Sequence, residues 1–259
     1  MKASPDSTEK PIKKYWAFIS YSSLDKKWGA WLHRKLENYP IPIEFRDDEV
    51  FDGAVLGKNL RPIFRDRDEL SGSAELGSAI QKALEKSRFL IVLCSPNSAQ
   101  SKWVNKEIED FKALKEGNEK RILALILEGE PNATTNDKFD NQEECFPPAL
   151  RYPLEPLAGD LRKEGDGKER GFLKILAGIT QLNFDTLYRR HERNQKKKRA
   201  TYAILIITIL VIIGTLIAVA LSQASKAEVQ KELTDLKSKL ANDERLQKIE
   251  AQKDAKQKK

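Results

Sequence analysis

A long uncharged apolar segment places the strongest constraint on how this chain folds. No charged residue occurs from Thr201 to Ser225, and Ala203–Leu221 is apolar almost without interruption. A helix of about 20 apolar residues is long enough to cross roughly 30 Å of hydrocarbon. A buried core helix is the alternative, but so uniform a run has no polar face to offer water. The sequence therefore predicts a single transmembrane helix over residues 201–223.

The charges on either side of this segment predict its orientation. Seven Lys and Arg residues lie in the segment 189–200, whereas only Lys226 and Lys231 lie within fifteen residues after Leu221. Positive charge is retained on the cytoplasmic side of a membrane, so we expect a cytoplasmic body and a tail outside. The predicted location is the inner (cell) membrane, crossed once, with the basic segment against anionic lipid headgroups. The alternative is that the basic segment is solvated and acts only as a topology signal.

The overall net charge of +7 does not indicate a nucleic-acid-binding protein. Residues 189–200 carry a net +6, whereas residues 1–188 carry a net −2. A protein that binds nucleic acid carries its basic face on the fold itself, so no nucleic-acid partner is predicted. The two cysteines, Cys94 and Cys145, belong to no Cys/His cluster, and no metal site is predicted. The N-terminus lacks the apolar region of a signal peptide, which favours a body in the reducing cytoplasm.

Strands and helices alternate along residues 14–188. Arg88–Cys94 and Arg121–Leu127 are nearly continuous apolar runs, typical of strands buried on both faces of a parallel sheet. Apolar residues recur every three or four positions between the strands, which indicates helices. The pattern predicts an α/β fold. The other predicted elements are strands at Trp16–Ser20 and Arg61–Phe64, and helices at Leu24–Tyr39, Ala74–Lys86, Ser101–Lys115 and Lys168–Leu182, with a further helix from Asp185 toward the membrane.

Polar residues follow each of the first three predicted strands. Tyr21, Ser22 and Ser23 follow the first strand, residues 65–68 follow the second, and residues 95–97 follow the third. Parallel sheets bind ligands at the carboxyl edge of their strands, so this edge is the expected functional site. Loops also carry polar residues for solubility alone, and that interpretation stays open.

Trp103 and Glu107 stand out in the helix that follows the third strand. They are four residues apart and so share one helix face, beside the expected core stripe of Val104, Ile108 and Phe111. This places an indole and a carboxylate at the rim of the core, near the functional edge. The alternative is an exposed glutamate near a helix N-terminus, with the indole as half-buried packing.

Three segments resemble a TIR (Toll/interleukin-1 receptor) domain: WAFISYSSLDKKW, RPIFRDRDELSGSAELGSAIQKAL and SRFLIVLCSPNSAQSKWVNKEIEDF. The resemblance is clearest over Lys14–Leu127, and residues 145–192 look like the end of bacterial TIR domains that continue into a membrane helix. It implies a flavodoxin-like parallel five-stranded sheet with strand order 2-1-3-4-5. The chain is thus expected to contain a disordered N-terminus (1–13), a TIR domain (14–188), a basic juxtamembrane segment (189–200), a transmembrane helix (201–223) and a short charged helical tail (224–259). The apolar spacing in the tail spans less than two heptads, which favours a helix of marginal stability over a coiled coil.

The resemblance also implies a function. One branch of the family cleaves NAD⁺, and its catalytic glutamate lies in a W-x-x-x-E pattern that Trp103 and Glu107 match. NAD⁺ is then a substrate and no cofactor is expected, which agrees with the absence of a GxGxxG motif. The implied substrate-binding residues are Tyr21, Ser22, Ser23, Phe64, Asp66 and Trp103. The implied self-association loop (the BB loop) contains Asp68, Glu69, Leu70, Ser71 and Gly72.

These observations favour a membrane-anchored NAD⁺ glycohydrolase that self-association activates, in bacterial immune or stress signalling. Its expected partners are NAD⁺, itself or other TIR domains, and membrane lipids. The alternative is a non-enzymatic TIR scaffold, which has no need for the Glu107 carboxylate. The BB loop lacks the proline common in the receptor and adaptor branch. A kinase-like or phosphatase-like enzyme is disfavoured because no P-loop or nucleophile motif occurs.

Overall fold

The structure is a computed structural model that describes residues 14–50, 53–65, 76–114, 118–135, 140–151 and 156–257. The chain divides into two units, Met1–His191 and Glu192–Lys259. The N-terminal residues 1–13, predicted to be disordered, lie outside the described part of the chain.

Within the described residues, strands and helices alternate as the sequence predicts. The strands are β1 (Tyr15–Ser20), β2 (Glu49–Val50), β3 (Ala54–Val55), β4 (Ser87–Cys94), β5 (Ile122–Ile126) and β6 (Leu157–Asp160). The helices are α1 (Lys26–Asn38), α2 (Leu76–Glu85), α3 (Pro96–Ala99), α4 (Lys102–Ala113), α5 (Gly167–Thr180) and α6 (Phe184–Gln257).

The central sheet is parallel, but the prediction of five strands is wrong. In the described part of the chain the sheet has four strands, in the order β1-β4-β5-β6, and β2 pairs with β3 as a separate antiparallel hairpin. The predicted strand Arg61–Phe64 forms only an isolated parallel bridge, between Phe64 and Phe18 of β1. Pro62 has no N–H group to donate, so this segment cannot continue a regular ladder. The segment still occupies the position beside β1 that the second strand has in a flavodoxin-like order.

Helices cover both faces of the sheet. On one face α1 and α5 enclose a core that includes Leu32, Phe89 and Phe172. On the other face α2 and α4 enclose a second core around Leu90 and Phe111. Both faces of β4 and β5 are therefore buried, which explains their unbroken apolar sequences.

The edge strand β6 and helix α5 make an unusually close contact through two glycines. A Cβ atom on Gly159 would lie 2.4 Å from the carbonyl oxygen of Gly171. Neither position has room for a side chain, so the two glycines set how closely α5 packs on the sheet.

Helix α6 contains the apolar segment. An 18-residue window within it has a mean hydropathy of 3.2 and no buried residue. Among the described residues, this is the helix that is long and apolar enough to cross a membrane. The helix continues from the basic segment through the apolar run into the tail.

Candidate active site

The candidate site lies at the carboxyl edge of the sheet, where the order of strands switches. β1 has β4 on one side and the Phe64 bridge on the other. Open α/β sheets bind ligands in the crevice beside such a switch point. Ser20 is the last residue of β1 and pairs in register with Val92 of β4.

Helix α4 brings Glu107 to this edge. Its N-cap is Ser101, whose hydroxyl accepts a hydrogen bond from the N–H of Val104 at 3.3 Å. Val104 and Ile108 are fully buried against the sheet and fix the rotation of the helix. Glu107 adjoins this buried stripe and is only 6% exposed. The carboxylate therefore faces the sheet, not solvent.

Ser20 holds the carboxylate of Glu107. The Ser20 hydroxyl donates a hydrogen bond to Oε2 of Glu107 at 2.5 Å, and Ser20 is 1% exposed. A hydroxyl-to-carboxylate bond of this length is charge-assisted and stronger than a neutral one. It joins the end of β1 to α4 and fixes the orientation of the carboxylate at the switch point.

The two members of the predicted Trp-Glu pair differ in burial. Glu107 is buried, but Trp103 is 59% exposed. We expected the Trp103 indole at the rim of the core, but it lies on the surface. Trp103 lies in the first turn of α4, whereas Glu107 lies one turn further along the helix.

Two of the predicted aromatic contacts belong to the core. Phe64 is buried and stacks on Phe18, with ring centroids 5.0 Å apart, and it meets Tyr15 edge-on at 5.2 Å. Tyr21 is also buried and packs on Gly29 of α1, where a Cβ atom would lie 3.0 Å from the tyrosine ring. Tyr21 belongs to the core on the α1 face, whereas α4 covers the opposite face.

Two of the remaining predicted residues, Ser22 and Ser23, follow directly after β1. Ser22 is buried and Ser23 is exposed, so Ser23 is the more accessible of the pair. Asp66 and the predicted self-association residues lie outside the described residues; these are Asp68, Glu69, Leu70, Ser71 and Gly72.

A buried acidic residue that the sequence reasoning missed connects the loops at this edge. Asp25 is 8% exposed and accepts hydrogen bonds from Ser95 Oγ at 2.6 Å and from Asn97 Nδ2 at 3.3 Å. The polar residues after β4 indicated a functional edge, but their partner was not predicted. The contact spans 70 residues of sequence, and no local pattern signals it. It ties the loop after β1 to the loop after β4.

A second polar cluster lies at the same edge, after β5 and β6. Arg162 donates to both carboxylate oxygens of Asp160, at 2.8 Å through Nη2 and at 3.0 Å through Nε, and to Glu130 at 2.6 Å. Burial opposes ionisation of Asp160, but the hydrogen bonds from Arg162 outweigh it and lower the pKa of Asp160. A cavity of about 540 Å³ adjoins this cluster. The residues around it include Pro96, Gly129 and Glu143.

The two cysteines lie in the core and are not bonded to each other. Burial is the main cause that raises the pKa of Cys145 to about 12, and burial also raises the pKa of Cys94. Both thiols are thus protonated and unreactive at neutral pH. Among the described residues, no group of three or more His, Cys, Asp or Glu side chains is placed to hold a metal ion.

Fold and site together define an α/β protein of flavodoxin-like topology with a buried carboxylate at its switch point. The sequence profile of the TIR domain family matches residues 17–146. The chain belongs to this family.

Known proteins that are similar to this chain include an enzyme and a solved TIR-domain structure. The NAD(+) hydrolase ApTIR of Actinoplanes sp. (strain ATCC 31044 / CBS 674.73 / SE50/110) is 31% identical over 173 residues, which is 60% of this chain and 24% of that relative. The chain thus spans about a quarter of the length of this relative. A solved structure, the TIR domains of the activated Roq1 resistosome that directly recognises the pathogen effector XopQ, is 20% identical with a TM-score of 0.40 and covers 63% of this chain and 98% of that one.

Proposed function

We propose that this protein is a membrane-anchored NAD⁺ glycohydrolase that cleaves the bond between nicotinamide and ribose. The observation that carries the proposal is the buried Glu107 carboxylate, which Ser20 orients at the switch point of the sheet. The similarity to a relative named as an NAD(+) hydrolase supports the same activity.

The geometry suits glycosidic cleavage through an electrostatic effect. When the bond from the ribose carbon to nicotinamide breaks, its electron pair goes to the ring nitrogen, and positive charge develops on the ribose. A fixed carboxylate stabilises that charge, as in glycoside hydrolysis. Nicotinamide leaves as a neutral ring, so its departure needs no strong general acid. Water then adds to the ribose carbon and loses a proton, which gives ADP-ribose.

The remaining contacts to NAD⁺ come from groups around the edge. Trp103, exposed at the start of α4, offers an aromatic face on which a ring of the dinucleotide can stack. Ser23 offers a hydroxyl in the loop after β1. The Asp25 contacts keep that loop in place beside α3.

We infer that α6 anchors the protein in the cell membrane, with the body in the cytoplasm. The supporting observations are the apolar window of α6, in which no residue is buried, and the basic residues before it. Anchoring confines the protein to two dimensions and raises its effective concentration, so weak contacts between TIR domains become occupied. Loss of NAD⁺ on clustering is the proposed output, in bacterial immune or stress signalling.

A non-enzymatic scaffold is the second candidate. Exposed large apolar side chains on the body favour it, because they offer surface for contacts between domains. Among the described residues of the body, the most exposed are Leu24 at 76%, Ile43 at 73% and Trp103 at 59%. A scaffold does not use Glu107, so the fate of NAD⁺ separates the two functions.

The test is to reconstitute the full-length protein in vesicles at several surface densities and to follow nicotinamide release from NAD⁺. The proposal predicts release at a rate per molecule that rises with density. No release at any density would leave the scaffold as the leading function. Release at a constant rate per molecule would contradict activation by self-association but not the enzymatic activity.

A further inference from the structure

The part of α6 beyond the apolar segment carries a short exposed apolar stripe. Val229, Leu233, Leu236 and Leu240 are spaced four, three and four residues apart and are 65, 44, 56 and 59% exposed. This is the heptad spacing of a coiled coil, with Leu233 and Leu240 at a positions and Val229 and Leu236 at d positions. The stripe is apolar on one side of an otherwise charged helix.

The charged residues beside the stripe complement those of an identical helix. Glu232 and Lys239 occupy g positions, and Lys237 and Glu244 occupy the e positions five residues later. In a parallel coiled coil, each g residue lies beside the e residue of the following heptad on the partner. Glu232 then meets Lys237 of the second helix, and Lys239 meets Glu244. Both pairs have opposite charges, and symmetry repeats each of them.

We propose that residues 229–240 form the apolar seam of a parallel, in-register coiled coil with a second copy of this chain, and that the seam ends before Asp243, which occupies the next d position. An unrelated partner would need a matching charge pattern, whereas this pattern matches itself. The proposal rests on the proposed membrane anchor, because a helix of about two heptads is marginal alone and the anchor supplies the effective concentration. It does not depend on NAD⁺ cleavage. The anchor also points all tails the same way, as the parallel pairing requires.

Disulfide crosslinking in membranes tests the register. We would introduce Leu236→Cys at a d position and Ser238→Cys at an outward f position of the full-length protein, then oxidise isolated membranes without NAD⁺. Facing d positions come within the Cα separation that a disulfide spans, whereas f positions lie on opposite sides of the pair. The wild-type protein is the background, because its two cysteines are buried in the body. The expected result is a dimer from Leu236→Cys at least tenfold above Ser238→Cys.

Charge exchange tests the pairing. In the Leu236→Cys background, Glu232→Lys places like charges in contact twice per dimer and should lower crosslinking about tenfold. Adding Lys237→Glu should restore it, because the pair is then present with exchanged signs. Equal crosslinking at both cysteine positions, or no rescue by the double exchange, would overturn the proposal. Alkaline carbonate extraction of the same membranes tests the anchor. If the extraction releases the protein, α6 does not span the membrane and the proposal is wrong.

Discussion

The Ser20–Glu107 hydrogen bond is the smallest unit on which the proposed activity depends. It joins the last residue of β1 to the second turn of α4, and both residues are buried. A buried carboxylate is costly unless other groups hydrogen-bond it, and the hydroxyl supplies such a bond. The bond therefore positions the charge and also offsets part of the cost of burying it.

Removal of the Ser20 hydroxyl should reduce turnover. A hydrogen bond to a charged group contributes about 1.5–3 kcal/mol, which corresponds to roughly 10- to 150-fold in kcat. We expect Ser20→Ala to lower kcat by this factor with little change in KM, because the residue positions Glu107 and does not bind NAD⁺. Ser87→Ala is the matched control. Ser87, the first residue of β4, is equally buried, but its hydroxyl donates to the backbone carbonyl of Ala83 in α2. Equal losses in the two variants would show a defect of the fold, not of the site.

Asp160 should make the stability of the body depend on pH. Hydrogen bonds from Arg162 lower the pKa of Asp160 in the folded state. This contribution is complete above the unfolded pKa of about 3.9, and it is lost as the pH falls through the lower folded pKa. Asp160→Asn should cost about 1–3 kcal/mol of unfolding free energy at pH 7, and the difference from wild type should shrink below about pH 4. Urea unfolding of residues 1–191, at pH 7 and below about pH 4, measures this difference in unfolding free energy between variant and wild type. A difference that stays constant with pH would contradict the assigned role.

At the scale of elements, the sequence predicts best what depends on local pattern. Continuous apolar runs indicated β4 and β5, and the periodic apolar positions of α4 indicated a helix. β6 was not predicted, because Leu157–Asp160 is four residues long and contains a glycine that has no strand signature. The predicted strand ending at Phe64 is reduced to a bridge because Pro62 has no N–H to donate.

The candidate site was predictable only in part. Glu107 was identified through the Trp-Glu spacing and the family resemblance, and the structure places it at the expected edge. Its partner Ser20 was missed, since a serine that ends a strand looks like any other. Asp25 was missed because its partners lie 70 and 72 residues away. Contacts that depend on the packing of distant elements are not indicated by any short stretch of the sequence.

The charges that flank the apolar segment of α6 predict its orientation, and this prediction can be tested directly. Seven basic residues precede the apolar segment within 189–200, which predicts a cytoplasmic body. Protease added to bacterial spheroplasts should remove an epitope at the end of the tail and spare one on the body. Digestion of the body with protection of the tail would show the opposite orientation.

The two units of the whole molecule are proposed to have separate tasks. The body, Met1–His191, holds the candidate active site. The second unit, Glu192–Lys259, contains the apolar segment and the stripe proposed to pair with a second copy. We propose that the second unit raises the frequency of contact between two bodies. This contact then activates NAD⁺ cleavage in the body.

Nicotinamide release by Glu107→Gln, compared with Glu109→Gln at equal density in vesicles, tests whether the buried Glu107 carboxylate is catalytic. Glutamine keeps the size of the side chain and can still accept the Ser20 hydrogen bond, but it removes the charge. Glu109 is exposed and accepts a hydrogen bond from Asn105 at 2.8 Å, away from the site. We expect a loss of about 10²–10³-fold for Glu107→Gln, with an unchanged melting temperature, and near wild-type activity for Glu109→Gln. Full activity in Glu107→Gln would contradict the enzymatic role of this site.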